Sequence, residues 1–150
     1  MTFSKILFLG LGGAGQRHLR VIKRHIPEAS LFTYRTTKKT PLLTPTFSLD
    51  GTNTITEKYG VTEFATLEEA LSSSPDLVVI SSPTSKHMDA MIKAVEIGAN
   101  ILVEKPLSHN LEMTKKIKDG AKEKNLLIYT SFQRRFKQTI YRFYQCLQLV

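Results

Sequence analysis

Apolar residues along this chain fall into short unbroken runs that alternate with stretches of helical spacing. The run Ile6-Leu7-Phe8-Leu9 predicts a strand over 5–9, and Leu19 and Ile22 lie among the apolar positions of a helix over 15–25, which closes just before Pro27. Residues 31–34 predict a second strand and 61–64 a weaker third. Thr66 with Glu69 three positions on has the capping-box pattern and opens a short helix over 67–72. Residues 77–81 form a continuous apolar strand, the pattern of one buried on both faces. Met88, Met91, Ile92 and Val95 recur at helical spacing over 85–97, ending at Gly98. A strand over 101–103, a helix over 111–124 and a strand over 126–130 complete the series. Strands separated by helices imply βαβ crossovers and a parallel, doubly wound sheet.

One stretch breaks this rhythm. Residues 36–54, TTKKTPLLTPTFSLDGTNT, are threonine-rich and contain Pro41, Pro45 and Gly51, which is long for a connection inside a domain. The expectation is a segment wandering over the surface beside the second strand, either ordered by a ligand or inserted without a role.

The first strand runs directly into four glycines, Gly10, Gly12, Gly13 and Gly15. Gly10, Gly12 and Gly15 fit G-x-G-x-x-G between a strand and a helix. There the first makes the tight turn, the second admits a pyrophosphate close to the backbone, and the third lets helix and sheet pack closely. Leu11, Gly13 and Ala14 complete the predicted binding turn. Unpaired N–H groups at the helix start would receive the phosphates. The alternative is a glycine-rich turn without a ligand. An acidic residue some 20 positions further on would hold the ribose hydroxyls of NAD. Here that place is taken by Arg35, in FTYRTTKK, with no Asp or Glu beside it in the chain. Arg35 and Lys38 can attract a 2′-phosphate and Thr36 can hydrogen-bond to it, so NADP is expected over NAD. Against that stands Arg35 as a solvated strand end.

Composition narrows the remaining classes. The chain has 150 residues, 41% hydrophobic and 23% charged, ordinary for a soluble globular domain with its own core. No apolar run reaches membrane-spanning length, the N-terminus has no signal-peptide pattern, and Cys146 is alone, so neither an intrachain disulfide nor a multi-cysteine metal site is expected. A cytoplasmic setting follows, with no metal site. The net charge of +8 fits either a phosphate-bearing partner or a solvated lysine-rich surface. Basic clusters at 35–39 and 134–137 carry no helix-turn-helix or RNA-binding signature, which places nucleic acid low among the partners.

Two further stretches, VVISSPTSKH (78–87) and ILVEKPLS (101–108), each follow a parallel strand and emerge on the same sheet edge as the glycine turn. With GLGGAG and with SFQRRF (131–136) they make the chain resemble the glucose–fructose oxidoreductase, inositol dehydrogenase and MocA family, over nearly its whole length, as that family's N-terminal domain. The resemblance implies an α/β Rossmann-type single domain over 1–132 and a junction helix over 133–150. It also implies NAD(P) binding and hydride transfer to or from a sugar, cyclitol or related carbonyl compound. By the same resemblance Ser81, Ser82, Pro83, Thr84 and His87 would line the nicotinamide side, Glu104 and Lys105 would join them as cofactor-binding residues, and Lys105 of the Glu104-Lys105-Pro106 triplet would stand near the reacting oxygen, as the catalytic residue. From residue chemistry alone Lys105 would be a surface lysine; His87 either touches cofactor or caps its helix, and Glu104 is a structural partner of Lys105. Family enzymes continue into a second domain carrying most of the substrate pocket and usually a catalytic histidine with an acidic companion, and His18, His25 and His109 lie in no motif that would replace that histidine. The expectation is a cofactor-binding half of an enzyme, or a non-catalytic NAD(P)-binding module acting through a partner. Phe136, Ile140, Phe143 and Leu147 form an apolar stripe over 136–149 that either packs on its own domain or joins a second copy.

Overall fold

The computed structural model describes residues 3–37, 40–51 and 53–133. Lys38, the stripe over 136–149 and the junction helix beyond Gln133 lie outside the described residues. Six parallel strands, β1 (Lys5–Leu9), β2 (Ser30–Tyr34), β3 (Val61–Glu63), β4 (Leu77–Ile80), β5 (Asn100–Glu104) and β6 (Ile128–Ser131), are ordered 3-2-1-4-5-6 in one sheet. That order reverses between β1 and β4, which opens a crevice at their carboxyl ends where an open α/β sheet takes its ligands. The expected Rossmann-type α/β fold is the observed one.

Alternation along β1 builds both faces of the core. Ile6 and Phe8 pack with Leu19 of helix α1 (Gly13–His25), whereas Leu7 and Leu9 join Met88 and Met91 of helix α4 (His87–Glu96) and Ile117 of helix α5 (Thr114–Glu123) on the opposite side. The middle strands β1 and β4 are buried almost along their whole length, which is why their sequences read as apolar runs and not as alternating patterns. A 3₁₀ turn over Thr84–Lys86 leads into α4, so the helix begins later than its periodicity suggests.

Two elements differ from expectation. A short helix, α2 (Ile55–Tyr59), follows the threonine-rich segment; it is closed at its start by a Thr54–Glu57 capping box and at its end by Gly60 in the left-handed conformation. Helix α3 (Leu67–Ser72) has the Thr66–Glu69 box that the sequence displays. Residues 40–51 do not wander. Leu43 and Leu49 form an antiparallel bridge, Leu42 is buried in the α1-side core, and the buried Gln16 clamps the segment to α1. Its amide nitrogen donates to Leu11 O at 2.9 Å and Pro41 O at 2.8 Å, while its oxygen accepts from Leu43 N at 2.8 Å. Arg20 adds a bond to Leu43 O at 3.2 Å. Protein contacts from α1 and the core therefore hold this hairpin.

Candidate functional site

Three glycines of the turn do three different things. Gly10 has φ +95°, and a Cβ there would stand 2.8 Å from Ser82 N and 2.9 Å from Ser81 C, so only glycine lets the β1 turn pass beneath the β4 loop. A Cβ on Gly15 would overlap Gly10 O and lie 2.6 Å from Ser81 Oγ, whose hydroxyl donates to Gly10 O at 2.6 Å. Around Gly12, by contrast, nothing lies within 4 Å of a Cβ. The helix starts there without a side-chain cap and without an acidic residue in its first turn. An open, uncapped, glycine-lined helix start of this kind fits a dinucleotide pyrophosphate, and a side chain at Gly12 would fill that space.

Helix α1 then divides its faces. Gly15 and Leu19 meet the sheet, Gly13, Gln16 and Arg20 meet the hairpin, and Ala14 and Arg17 face a cleft of about 340 Å³. Into this cleft the fold brings Ser81, Ser82, Pro83, Thr84 and His87 from the β4 side and Glu104 and Lys105 from β5, as their places after parallel strands predict. Leu11 contributes no side chain to it, being buried in the α1-side core. The Ser82 hydroxyl oxygen is closed off from solvent and has no hydrogen-bond partner among the described residues, which leaves it for a ligand to satisfy.

Glu104 is the electrostatic centre of the cleft. Its Oε1 accepts from Arg17 at 2.9 Å, His18 Nε2 at 2.7 Å and Gln133 Nε2 at 3.0 Å, while Oε2 accepts from the Lys105 amide at 3.2 Å. Burial works against its charged form. The His18 hydrogen bond and charge, the Lys105 amide and the Arg17 guanidinium outweigh burial and hold the carboxyl below its ordinary range. Glu104 thus serves as a fixed anion that ties α1, β5 and Gln133 together at the foot of Lys105, consistent with a structural role. His87 is fully buried, with Nε2 at 2.8 Å from Ser82 O and Nδ1 at 3.1 Å from Pro106 O. Its ring joins the loop after β4 to the cis Lys105–Pro106 peptide and so positions both motif loops; its two nitrogens are occupied by backbone.

The end of β2 corrects the sequence reading. Arg35 has an acidic neighbour after all: Glu63, on the adjacent strand β3, takes its Nε at 3.0 Å and its second nitrogen at 2.7 Å in a bidentate pair. The Arg35 side chain is only 9% exposed, so its charge is already matched where a 2′-phosphate was expected to meet it. Thr36 is exposed beside it. Sequence reasoning missed Glu63 because parallel pairing joins residues 28 apart in the chain. It also missed Arg17, His18 and Gln133, although GQRHLR and SFQRRF contain them one helical turn and one strand end from recognised motifs.

Residues 4–132 match the oxidoreductase family described by its NAD-binding Rossmann fold, GFO_IDH_MocA. The chain belongs to this family. It is 34% identical over 128 residues to a scyllo-inositol 2-dehydrogenase (NAD(+)) of Bacillus subtilis, covering 85% of the chain and 35% of that relative. It is 27% identical over 134 residues to a myo-inositol 2-dehydrogenase of Thermotoga maritima, covering 88% and 37% respectively. The chain therefore spans about a third of the length of these curated relatives. In fold it is similar to the WlbA dehydrogenase of Bordetella pertussis, solved in complex with NADH and UDP-GlcNAcA, with a TM-score of 0.77 at 18% identity over 99% of this chain and 40% of that one. The family's NAD-binding domain spans residues 4–132 of this chain. Among the described residues no helix is long and apolar enough to cross a membrane.

Proposed function

We propose that the chain is the dinucleotide-binding part of an oxidoreductase that moves hydride between a nicotinamide cofactor and a hydroxyl or carbonyl carbon of a cyclitol or sugar. The observation that carries the reading is convergence: the glycine turn, the Ser81–Thr84 loop and Glu104–Lys105 meet at one cleft at the strand-order reversal. The inositol dehydrogenases among its relatives support a polyol substrate. Bound there, the nicotinamide supplies or accepts the hydride. The chain's own residues would bind and orient: Gly12 and the first N–H groups of α1 would receive phosphate, Ser82 would offer its unmatched hydroxyl, and Lys105, which lines the same cleft, would steady developing charge on the substrate oxygen or relay its proton. By the family resemblance, the remaining substrate pocket would come from a second domain. A cytoplasmic setting fits the reading.

On the cofactor, the pairing of Arg35 with Glu63 removes the main physical reason for an NADP preference, and a relative named for NAD(+) supports NAD(H). We therefore assign NAD(H), with NADP(H) as the alternative resting on Thr36 and on Lys38. Calorimetric titration with NADH and NADPH tests both parts. Binding of NADH at least as tight as NADPH, lost in Gly12→Val, is the expected result. Failure of the chain to bind either would overturn the reading, and tighter NADPH binding would restore the alternative.

A further inference from the structure

The hairpin over 42–50 places an aromatic ring beside the phosphate site. Phe47, with φ +65° at the hairpin tip, lays its ring against Gly13, the first residue of α1. A Cβ on Gly13 would be 3.0 and 3.2 Å from two carbons of that ring, so the missing side chain at Gly13 is what makes room for Phe47. The ring is nevertheless 54% exposed, and Leu49 beside it is 74% exposed. Leu42 is sunk in the core, and Gln16 and Arg20 together bind Pro41 and Leu43 through backbone atoms, so the base of the hairpin that carries the ring is anchored to α1.

The faces of α1 say which half of a dinucleotide would meet this ring. Ala14 and Arg17 face the cleft of Ser82 and Lys105, where the nicotinamide end belongs in the function proposed above; Gly13 and Gln16 face the hairpin across the helix start. With the pyrophosphate at the helix start and one end in the cleft, the other end must leave on the hairpin side. At that end the usual ribose-binding carboxylate is absent from β2, and Arg35 is held by Glu63. We infer that Phe47 is a recognition residue for the adenosine half of the cofactor, supplying an aromatic wall for the purine in place of a carboxylate for the ribose. This inference rests on the proposed dinucleotide reading. Because an aromatic face reads the base and not the 2′ substituent, it acts alike on NAD(H) and NADP(H).

The test is calorimetric titration of wild type, Phe47→Ala, Phe47→Leu and Phe47→Tyr with NADH and with ADP-ribose, alongside their thermal unfolding midpoints. Phe47→Ala is expected to weaken NADH and ADP-ribose by the same factor, about tenfold for loss of one base–aromatic contact. Phe47→Leu, which keeps apolar bulk on Gly13 but no aromatic face, is expected to lose most of that factor as well, and Phe47→Tyr to stay within about twofold of wild type. Wild-type affinity in both Phe47→Ala and Phe47→Leu, or a loss seen with NADH but absent with ADP-ribose, overturns the inference while leaving the proposed function standing. A wild-type chain that binds neither ligand removes both.

Discussion

Replacing a helical glycine by alanine ordinarily stabilises a protein, because alanine is better by about 1 kcal/mol in a helix interior and restricts the unfolded chain. Gly15 is in α1, and there the sign should reverse. Its added methyl would overlap Gly10 O and press on Ser81 Oγ at 2.6 Å, and neither neighbour is the free end of a flexible side chain. Gly10 is itself held beneath the β4 loop, with Ser82 N 2.8 Å from where its own Cβ would be. Relief therefore requires α1 to move off the sheet. Overpacking of this kind costs about 1–3 kcal/mol, and loss of the Ser81–Gly10 hydrogen bond about 1 more. Set against a helix gain of about 1 kcal/mol, Gly15→Ala should destabilise by roughly 1–3 kcal/mol, or about 3–10 °C in unfolding midpoint for a chain of this size. Gly12→Ala is the internal comparison: its Cβ meets nothing, so its midpoint should stay within about 2 °C of wild type while NADH binding falls at least tenfold. Circular dichroism melts with calorimetry on the same samples read both. A Gly15→Ala variant as stable as wild type would refute the packing argument, whatever its binding.

Four further outcomes follow from the site. Glu104 has its pKa lowered in the folded protein, so the stability it contributes is fully present above the ordinary carboxylate pKa and is lost as pH falls through the lower folded value. Glu104→Gln should accordingly be less stable than wild type at pH 7, by about 1–3 kcal/mol, with the gap closing in urea melts taken toward pH 3; a gap that does not vary with pH would contradict the assignment. Gln16→Leu removes both of its bonds to the hairpin segment, at Pro41 O and Leu43 N, and should raise amide exchange over 40–51 by more than tenfold while β1 and β4 stay protected; uniform exchange changes would mean the clamp is not local. Arg35→Ala should leave the NADPH-to-NADH affinity ratio within about twofold of wild type, since the guanidinium already serves Glu63; a large fall in the ratio would show it reaching a 2′-phosphate. Lys105→Met should bind NADH normally yet, within the whole enzyme, turn over about 10²–10⁴-fold more slowly; unchanged turnover would remove Lys105 from the chemistry.

Local patterns along the chain were enough to determine the fold and one half of the site. Unbroken apolar runs mark β1 and β4 because strands buried on both faces have no polar face to show, and the glycines after β1 mark the turn because Gly10 and Gly15 leave no room for a Cβ while Gly12 keeps the helix start open. Motifs that follow parallel strands had to converge, since the crossover geometry delivers every such loop to one edge. The Thr54–Glu57 box was equally legible, and α2 could have been found from it.

What depends on lateral neighbours was decided only by tertiary structure. Arg35 is a solvated or phosphate-binding residue in the sequence, and strand pairing makes it half of a bidentate ion pair. Glu104 gathers His18, Arg17 and Gln133 from more than 80 residues before it and 29 after it, a grouping that no spacing rule reports. The threonine-rich segment has no periodicity because its order comes from scattered contacts, the Gln16 amide and Arg20 on a neighbouring helix and the single buried Leu42, not from a repeating face of its own. Chain-local chemistry writes strands, helices and turns into sequence; the match between a side chain and a partner brought in by the fold exists only once the sheet has closed.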